Sequence, residues 1–269
     1  MAKKIKCVLT IAGSDSGAGA GIQSDLKTFH NHGVYGLTVI TAVTSQNTFG
    51  VQSSFELPVD IIKSQLKSVF DDFDINVVKT GMLSSKSIIL SISNYFKNKV
   101  IDLNKIKLIV DPVIFSKNQF RLLSTEGVES LKSNLLPLSY LVTPNLVEAE
   151  FLSGVKIRTI KELEKAVKKI HALGCKNVLI KGGHLQKKIG IDKGTDILFN
   201  SRKFYLFKSK FKESKNTHGV GCTFSAAIAS NIALGKSLIE SISLSKAYVV
   251  ESLERTQKLG GGIGPVEQL

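Results

Sequence analysis

Thr217-His218-Gly219-Val220-Gly221-Cys222 runs directly into Thr223-Phe224-Ser225-Ala226-Ala227-Ile228-Ala229, a stretch of small residues that reads as a helix. The first turn of a helix leaves N–H groups unpaired and points the positive end of its dipole outward, so a glycine-bearing start of this kind forms an anion hole. Gly219 and Gly221 would present backbone to a transferring phosphoryl group. Cys222 would sit where a helix N-terminus lowers a thiol pKa below its free value of ~8.5, as an acid–base group. Free cysteines are more often small buried hydrophobes. Cys7, within an apolar strand, and Cys175, just past a helix end, fit that description better than Cys222 does.

A second loop, Gly13-Ser14-Asp15-Ser16-Gly17-Ala18-Gly19-Ala20-Gly21, leads into a helix over Ile22–Phe29. A strand, a glycine-rich turn and a helix start suit close approach of a ligand to backbone N–H groups, although a flexible turn has the same composition. The spacing is not G-x-G-x-x-G and no acidic residue ends the next strand, so a dinucleotide fold matches poorly. Gly235-Lys236-Ser237 imitates the end of a P-loop, but position 230 is Ser and no strand leads in.

The elements that must position these loops follow from hydrophobic periodicity. Apolar runs at Ile5–Ala12, Leu37–Val43, Asn76–Lys79, Lys107–Val110, Tyr140–Thr143 and Asn177–Lys181 read as buried strands. Helices alternate with them: one begins at Pro58 and places Val59, Ile62, Leu66, Val69, Phe70 and Phe73 on one face. Another opens with Thr159 and Glu162 at capping-box spacing and stops at Gly174. Such alternation predicts an α/β fold with a mostly parallel central sheet flanked by helices. Asp196–Phe199 and Phe204–Phe207 read as a hairpin added antiparallel at one sheet edge, and helices over about Thr223–Leu234 and Leu238–Leu259 follow. With no linker and no internal repeat, residues 1–269 are expected to form one domain. Ligands in such folds bind beyond the carboxyl ends of the strands.

Composition narrows the function classes. An apolar fraction of 43% argues for a packed core rather than disorder. No run reaches the ~18 apolar residues of a membrane helix, and Val8–Ala12 is too short for a signal-peptide core, so a cytoplasmic chain without a membrane partner is expected. The three cysteines show no disulfide framework or zinc spacing, and His30-x-His32 alone makes no zinc site. A net charge of +14 comes from scattered lysines without aromatic interleaving, so no nucleic-acid partner is expected; solvated lysine faces around an anionic small substrate account for it.

Several stretches together resemble hydroxymethylpyrimidine/phosphomethylpyrimidine kinases of the ribokinase-like superfamily: Gly13 to Phe29, Val39 to Thr48, Lys79 to Leu83, Asp111 to Val113, Thr143 to Glu150, residues 181–184, Gly219 to Cys222, and Gly262 to Val266. They run in the family's order across nearly the whole chain. The resemblance implies a three-layer ribokinase-like fold and two ATP-dependent phosphorylations in thiamin biosynthesis, converting the hydroxymethylpyrimidine to its monophosphate and then its diphosphate. It implies that Asp25, Gln46 and Met82 contact the pyrimidine, with backbone near Gly13 and Val113. Gln46 can donate to and accept from an aminopyrimidine edge, and Met82 offers an adaptable apolar face, or equally core packing. Asn145 and Glu148 match the family's Asn-x-x-Glu element, expected to order ATP phosphates and Mg²⁺ through water, with Asp111 nearby as a further candidate; a carboxylate at a helix start is otherwise a cap. A homodimer is implied as well.

The sequence departs from the family pattern at Lys117-Asn118-Gln119, where Lys-Ser-Gly is common, and at Val220, where Thr is commoner. No additional thiamin-pathway domain, and hence no fused activity, is expected. A pyridoxal or pyridoxine kinase on the same fold is the nearest alternative, since its acceptor also carries a ring-bound hydroxymethyl. A non-catalytic nucleotide-binding or nucleic-acid-binding protein is the alternative from another class. Gln46 with Met82 favours the pyrimidine; Gly219, Gly221 and Cys222 favour catalysis.

Overall fold

A computed structural model describes residues 5–98, 105–116, 120–182, 192–209 and 214–268. The strands are β1 (Cys7–Asp15), β2 (Tyr35–Asn47), β3 (Gly50–Glu56), β4 (Ile75–Thr80), β5 (Lys107–Val110), β6 (Leu141–Val142), β7 (Val178–Ile180), β8 (Asp196–Phe199) and β9 (Phe204–Phe207). They form a nine-stranded sheet in the order β3-β2-β1-β4-β5-β6-β7-β8-β9. From β2 to β7 every neighbour is parallel, while β3 at one edge and β8–β9 at the other are antiparallel.

The helices are α1 (Gly21–Asn31), α2 (Val59–Asp72), α3 (Lys86–Lys97), α4 (Thr125–Ser130), α5 (Leu146–Ser153), α6 (Ile160–His171), α7 (Val220–Ala233) and α8 (Leu238–Arg255). Alternate residues of the central strands point to opposite faces. Leu9, Ile11, Val78, Leu108 and Val110 therefore join one apolar cluster with Ile62, Ile88, Leu152 and Val167 of the helices on that face. Val8, Val77, Ile109 and Leu179 join a second with Phe29, Ala226, Ile228 and Ile242 on the other. Burial on both faces is the reason the strands read as continuous apolar runs. The result is the expected three-layer arrangement.

The anticipated β8–β9 hairpin is present, and Thr159 caps α6 by accepting from the Glu162 N–H at 3.3 Å. The Glu162 carboxylate closes on the Arg158 N–H, one residue before the expected capping-box partner. β3 was not anticipated. Its residues are mostly exposed and Ser53 and Ser54 interrupt any apolar pattern, because it covers no core; it is held by its ladder to β2. Among the described residues no helix is long and apolar enough to cross a membrane.

A buried ion pair crosses this core. Lys79 of β4 and Asp25 of α1 are fully buried, with Nζ 2.8 and 3.0 Å from the two carboxylate oxygens, and Thr10 donates to the same carboxylate at 2.5 Å. Burial alone would lower the Lys79 pKa, but the adjacent Asp25 carboxylate holds it above its ordinary value. Removing one member strands the other. Lys79→Met is expected to cost ~3–5 kcal/mol at neutral pH. Burial pushes the Asp25 carboxyl up, so without its partner it takes a proton as pH falls, and the penalty shrinks toward acid. Urea unfolding of both proteins at neutral and mildly acidic pH checks this; a pH-independent penalty would show that lost packing, not the stranded charge, sets the cost.

Candidate active site

The Gly13–Gly21 and Thr217–Cys222 loops lie at the carboxyl ends of the parallel strands. At the end of β1, the Asp15 carboxylate accepts N–H groups from Gly17 (2.8 Å), Gly19 (3.1 Å) and Ala20 (2.8 Å), which winds the glycine-rich stretch around it. His218 Nε2 lies 2.8 Å from the same carboxylate, and the Gln46 side chain lies 3.1 Å from that ring nitrogen. Burial works against the Asp15 charge, but the His218 and Ala20 hydrogen bonds hold its carboxyl below the usual range. Beside Gln46 and His218 is a small recess also lined by Thr48, Val51, Ser116 and Ile263.

The two glycine-rich loops meet backbone to backbone. Gly219 caps α7 at φ +81°, and a Cβ there would stand 1.8 Å from the Gly19 carbonyl oxygen. Gly21 adopts φ +58°, and a Cβ on it would stand 2.4 Å from the Gly13 oxygen. Only glycine fits either position. A strap from the Gly262–Val266 stretch covers the junction. His218 N–H donates to Gly264 and Val266 N–H to the His218 carbonyl, and Gln268 Nε2 reaches Gly19 O and Ser24 Oγ, each at 3.2 Å.

The first turn of α7 stands over a buried polar cluster. Lys181, which follows β7, places Nζ 2.6 Å from Asp111, which follows β5. Thr143 and Ser225 also donate to the Asp111 carboxylate, at 3.3 and 3.2 Å. A Cβ on Gly221 would stand 3.2 Å from Lys181 Nζ and 3.8 Å from Asp111 Oδ2. The cation, the carboxylate and the helix start therefore converge on Gly221. Burial would lower the Lys181 pKa, but Asp111 and Glu148 hold it above its ordinary value, so it is a fixed positive charge.

Cys222 does not behave as its helix position predicts. Burial pushes its thiol up to about 11; Lys79 pulls it down, but the Asp25 and Asp111 carboxylates add to the rise. Desolvation and two nearby anions outweigh the helix dipole, and the expectation of a depressed thiol pKa is corrected.

Asn145 and Glu148 form a reciprocal capping box at the start of α5. Asn145 Oδ1 accepts the Glu148 N–H at 2.9 Å and Glu148 Oε2 accepts the Asn145 N–H at 2.8 Å. Burial pushes the Glu148 carboxyl up to about 7, against the pull of Lys181 and with Asp111 adding to the rise. A cation next to it would restore its charge.

Of the residues expected near a pyrimidine, Gly13 and Met82 are brought together, since a Cβ on Gly13 would lie 2.5 Å from Met82 Cε. Thr41 anchors the Met82 carbonyl at 2.8 Å. Val113 is half-buried two residues past Asp111. Asp25 is displaced from expectation: with no exposed surface and both oxygens held by Lys79, it stands behind the site and not on its wall. Lys117, Asn118, Gln119, Gly183 and His184 lie outside the described residues.

Sequence reasoning missed Asp15, His218, Lys79 and Lys181 as members of this centre. A lysine in or ending an otherwise apolar strand, as at Val77-Val78-Lys79 and Leu179-Ile180-Lys181, was a readable signal, because such a position buries the charge and demands a partner. His218 carried no such signal, since its partners are 203 and 172 positions away.

With this geometry in hand, comparison with known proteins is direct. Residues 15–267 match the family model described as phosphomethylpyrimidine kinase. The chain is 45% identical over 262 residues to the thiamine biosynthesis bifunctional protein ThiED of Geobacter sulfurreducens, covering 97% of this chain and about half (52%) of that protein. It is 41% identical over 254 residues to the hydroxymethylpyrimidine/phosphomethylpyrimidine kinase of Aquifex aeolicus, covering 94% of this chain and 96% of that one. The crystal structure of phosphomethylpyrimidine kinase from Clostridium difficile 630 superposes with TM-score 0.79 at 44% identity, over 92% of this chain and 99% of that one. A pyridoxal kinase from Staphylococcus aureus in complex with ADP superposes with TM-score 0.87 at 35% identity, over 99% of this chain and 94% of that one. The sheet and its flanking helices are thus those of a kinase fold, and the chain belongs to the phosphomethylpyrimidine kinase family.

Proposed function

We propose that this chain, as one kinase domain over 1–269, phosphorylates 4-amino-5-hydroxymethyl-2-methylpyrimidine with ATP and then phosphorylates the resulting monophosphate, yielding the diphosphate used in thiamin biosynthesis. The observation that carries the reading is the start of α7 standing over Lys181 and Asp111. Its N–H groups and one fixed cation converge where a γ-phosphoryl group would develop equatorial charge. Family membership and the activities for which its relatives are named support the substrate.

In this reading the hydroxymethyl oxygen attacks the γ-phosphorus, the bond to the β-phosphate oxygen breaks and ADP leaves. Gly219, Val220 and Gly221 offer backbone to the phosphoryl oxygens and Lys181 neutralises them. Cys222, a neutral thiol, shapes the hole and does not take the proton. In a loose transition state the hydroxyl proton leaves late, passing to an oxygen of the transferred phosphoryl group and from there to water, which lowers the demand for a strong base. Gln46, held by His218, and Met82 beside Gly13 form the acceptor side. Glu148, with Asn145, would hold Mg²⁺ through water. Its buried, proton-retaining carboxyl fits a site that a cation completes, and Mg²⁺ bound to ATP needs few protein ligands. Such a cation supplies charge neutralisation at the phosphates.

The similarity to pyridoxal kinase favours a second reading, transfer to a pyridoxal-type hydroxymethyl. We also propose a homodimer, supported by the exposed Val43, Phe49 and Phe55 on the β2–β3 edge, and a cytoplasmic location, supported by the use of ATP.

Three outcomes follow. In parallel ADP-release assays the pyrimidine alcohol should outcompete pyridoxal, because a site built around Gln46 leaves polar groups unpaired with the wrong ring; equal or better use of pyridoxal selects the second reading. Gly221→Val should lower kcat at least ~10²-fold while shifting Tm little, since the new side chain meets Lys181 in the anion hole. Retained turnover in a folded variant would place phosphoryl transfer elsewhere. With the Cys222 thiol titrating near 11, Cys222→Ala should slow the alcohol and monophosphate steps by the same factor and leave the pH–rate profile unchanged between about pH 6 and 9. Loss of a limb of that profile for the alcohol alone would make Cys222 the base.

A further inference from the structure

At the opposite, amino end of the strands lies a pocket of about 380 Å³, within the range of small-ligand sites. Its lining includes Lys6 before β1, Lys105 and Lys107 at the start of β5, and Lys236 before α8, and no Asp or Glu is among its described lining residues. Lys107 Nζ stands 4.6 Å from the centre of the Tyr140 ring, which forms part of the wall. Glu240, one turn into α8, meets Lys236 at 2.9 Å. Asp74, adjacent in sequence to β4, accepts from Asn76 at the pocket.

Gly235-Lys236-Ser237, a false P-loop in the sequence, has a defined place here. Ser237 caps α8 by accepting the Glu240 N–H, so the remaining first-turn N–H groups and the positive end of an 18-residue helix open beside Lys236. Ammonium groups gathered on one concave wall repel each other, and low-dielectric walls focus their field on the space between them. Both effects favour an anion. The arrangement combines an open recess, lysines from three separate chain segments in its lining and a helix start, none of which the phosphoryl-transfer centre uses.

We propose that this pocket binds a small phosphorylated anion, with Lys6, Lys107 and Lys236 on its phosphate and the Tyr140 ring at its edge. The shared chemistry is a phosphate group carrying two or more negative charges, whether free polyphosphate or the phosphate of a nucleotide. Ile232 and Ala233, the last residues of α7 at this pocket, lie ~20 Å along one helix from the Gly221 end, so an occupant would touch the same rigid element that carries the anion hole.

The test compares wild type with the double variant Lys6→Gln/Lys236→Gln, both exposed positions outside the phosphoryl-transfer centre, whose kinase activity without added ligand should be unchanged. Inorganic diphosphate and AMP are titrated separately by calorimetry into each protein saturated with AMP-PCP. Wild type is expected to bind at least one probe at unit stoichiometry, with affinity falling as salt rises, and the variant to bind it at least tenfold more weakly. Binding of diphosphate alone assigns free polyphosphate, and tighter binding of AMP assigns a nucleotide. Failure of both probes to bind wild type, or equal affinity in the two proteins, overturns the proposal. Because the comparison reads the lysines and not turnover, its failure is separable from failure of the pyrimidine assignment.

Discussion

The approach of the Gly219 backbone to the Gly19 carbonyl oxygen, too close for any Cβ, is the contact on which the rest of the centre depends. It fixes the start of α7 against the β1–α1 loop. With that start fixed, Gly221 falls over Lys181 and Asp111, Cys222 falls against the Gly21 N–H, and His218 reaches Asp15 and Gln46. The Asp15 carboxylate works from the other side by gathering three loop N–H groups and the imidazole. Steric permission and electrostatic attraction thus act on the same junction. Neither alone would hold a loop of this composition in one conformation.

Beneath the junction a row of buried ion pairs crosses the sheet. Lys79–Asp25, Lys181–Asp111 and Lys246–Asp196 join a strand or its end to a helix or to the end of another strand, with contacts of 2.8, 2.6 and 2.5 Å. The third pair bears on the second, because Asp196 also accepts the Gly182 N–H at 2.7 Å, next to Lys181. Such pairs contribute little net stability compared with apolar packing, since desolvation offsets their attraction. What they supply is fixed charge of known sign in a dry region. Burial is the larger cause of the raised Cys222 thiol and Glu148 carboxyl; Asp25 and Asp111 add to the first and Asp111 to the second, which explains why helix position alone misjudged the cysteine.

The sheet was legible because its central strands are buried on both faces, so Leu108-Ile109-Val110 or Val178-Leu179-Ile180 admits few readings. β3 was not, because an edge strand over no core leaves no apolar pattern. The local geometry was legible where the backbone demands glycine or a helix start, as at Gly219 and the first turn of α7. The candidate site was misread where burial decides: Asp25 looks like an available carboxylate in sequence but is a counter-ion in three dimensions, and the Asn145–Glu148 spacing serves helix capping as well as any ligand. His218 and Asp15 were overlooked because their pairing is a property of the fold and not of either local segment.

The sequence separations within the junction have a kinetic meaning. His218 and Asp15 are 203 positions apart, Ser24 and Thr223 are 199 apart, and Gln268 and Gly19 are 249 apart. Contacts of this span repay their loop-closure entropy only after the sheet between them exists. The β1–β2 and β4–β5 pairings can therefore form while the loop junction is still open, and the junction condenses among the last parts of the molecule. Interactions formed after the rate-limiting barrier act on escape from the native state more than on arrival. The glycine contact and the Asp15 clasp consequently govern how long the assembled centre persists, whereas the apolar strands govern how quickly the chain reaches it.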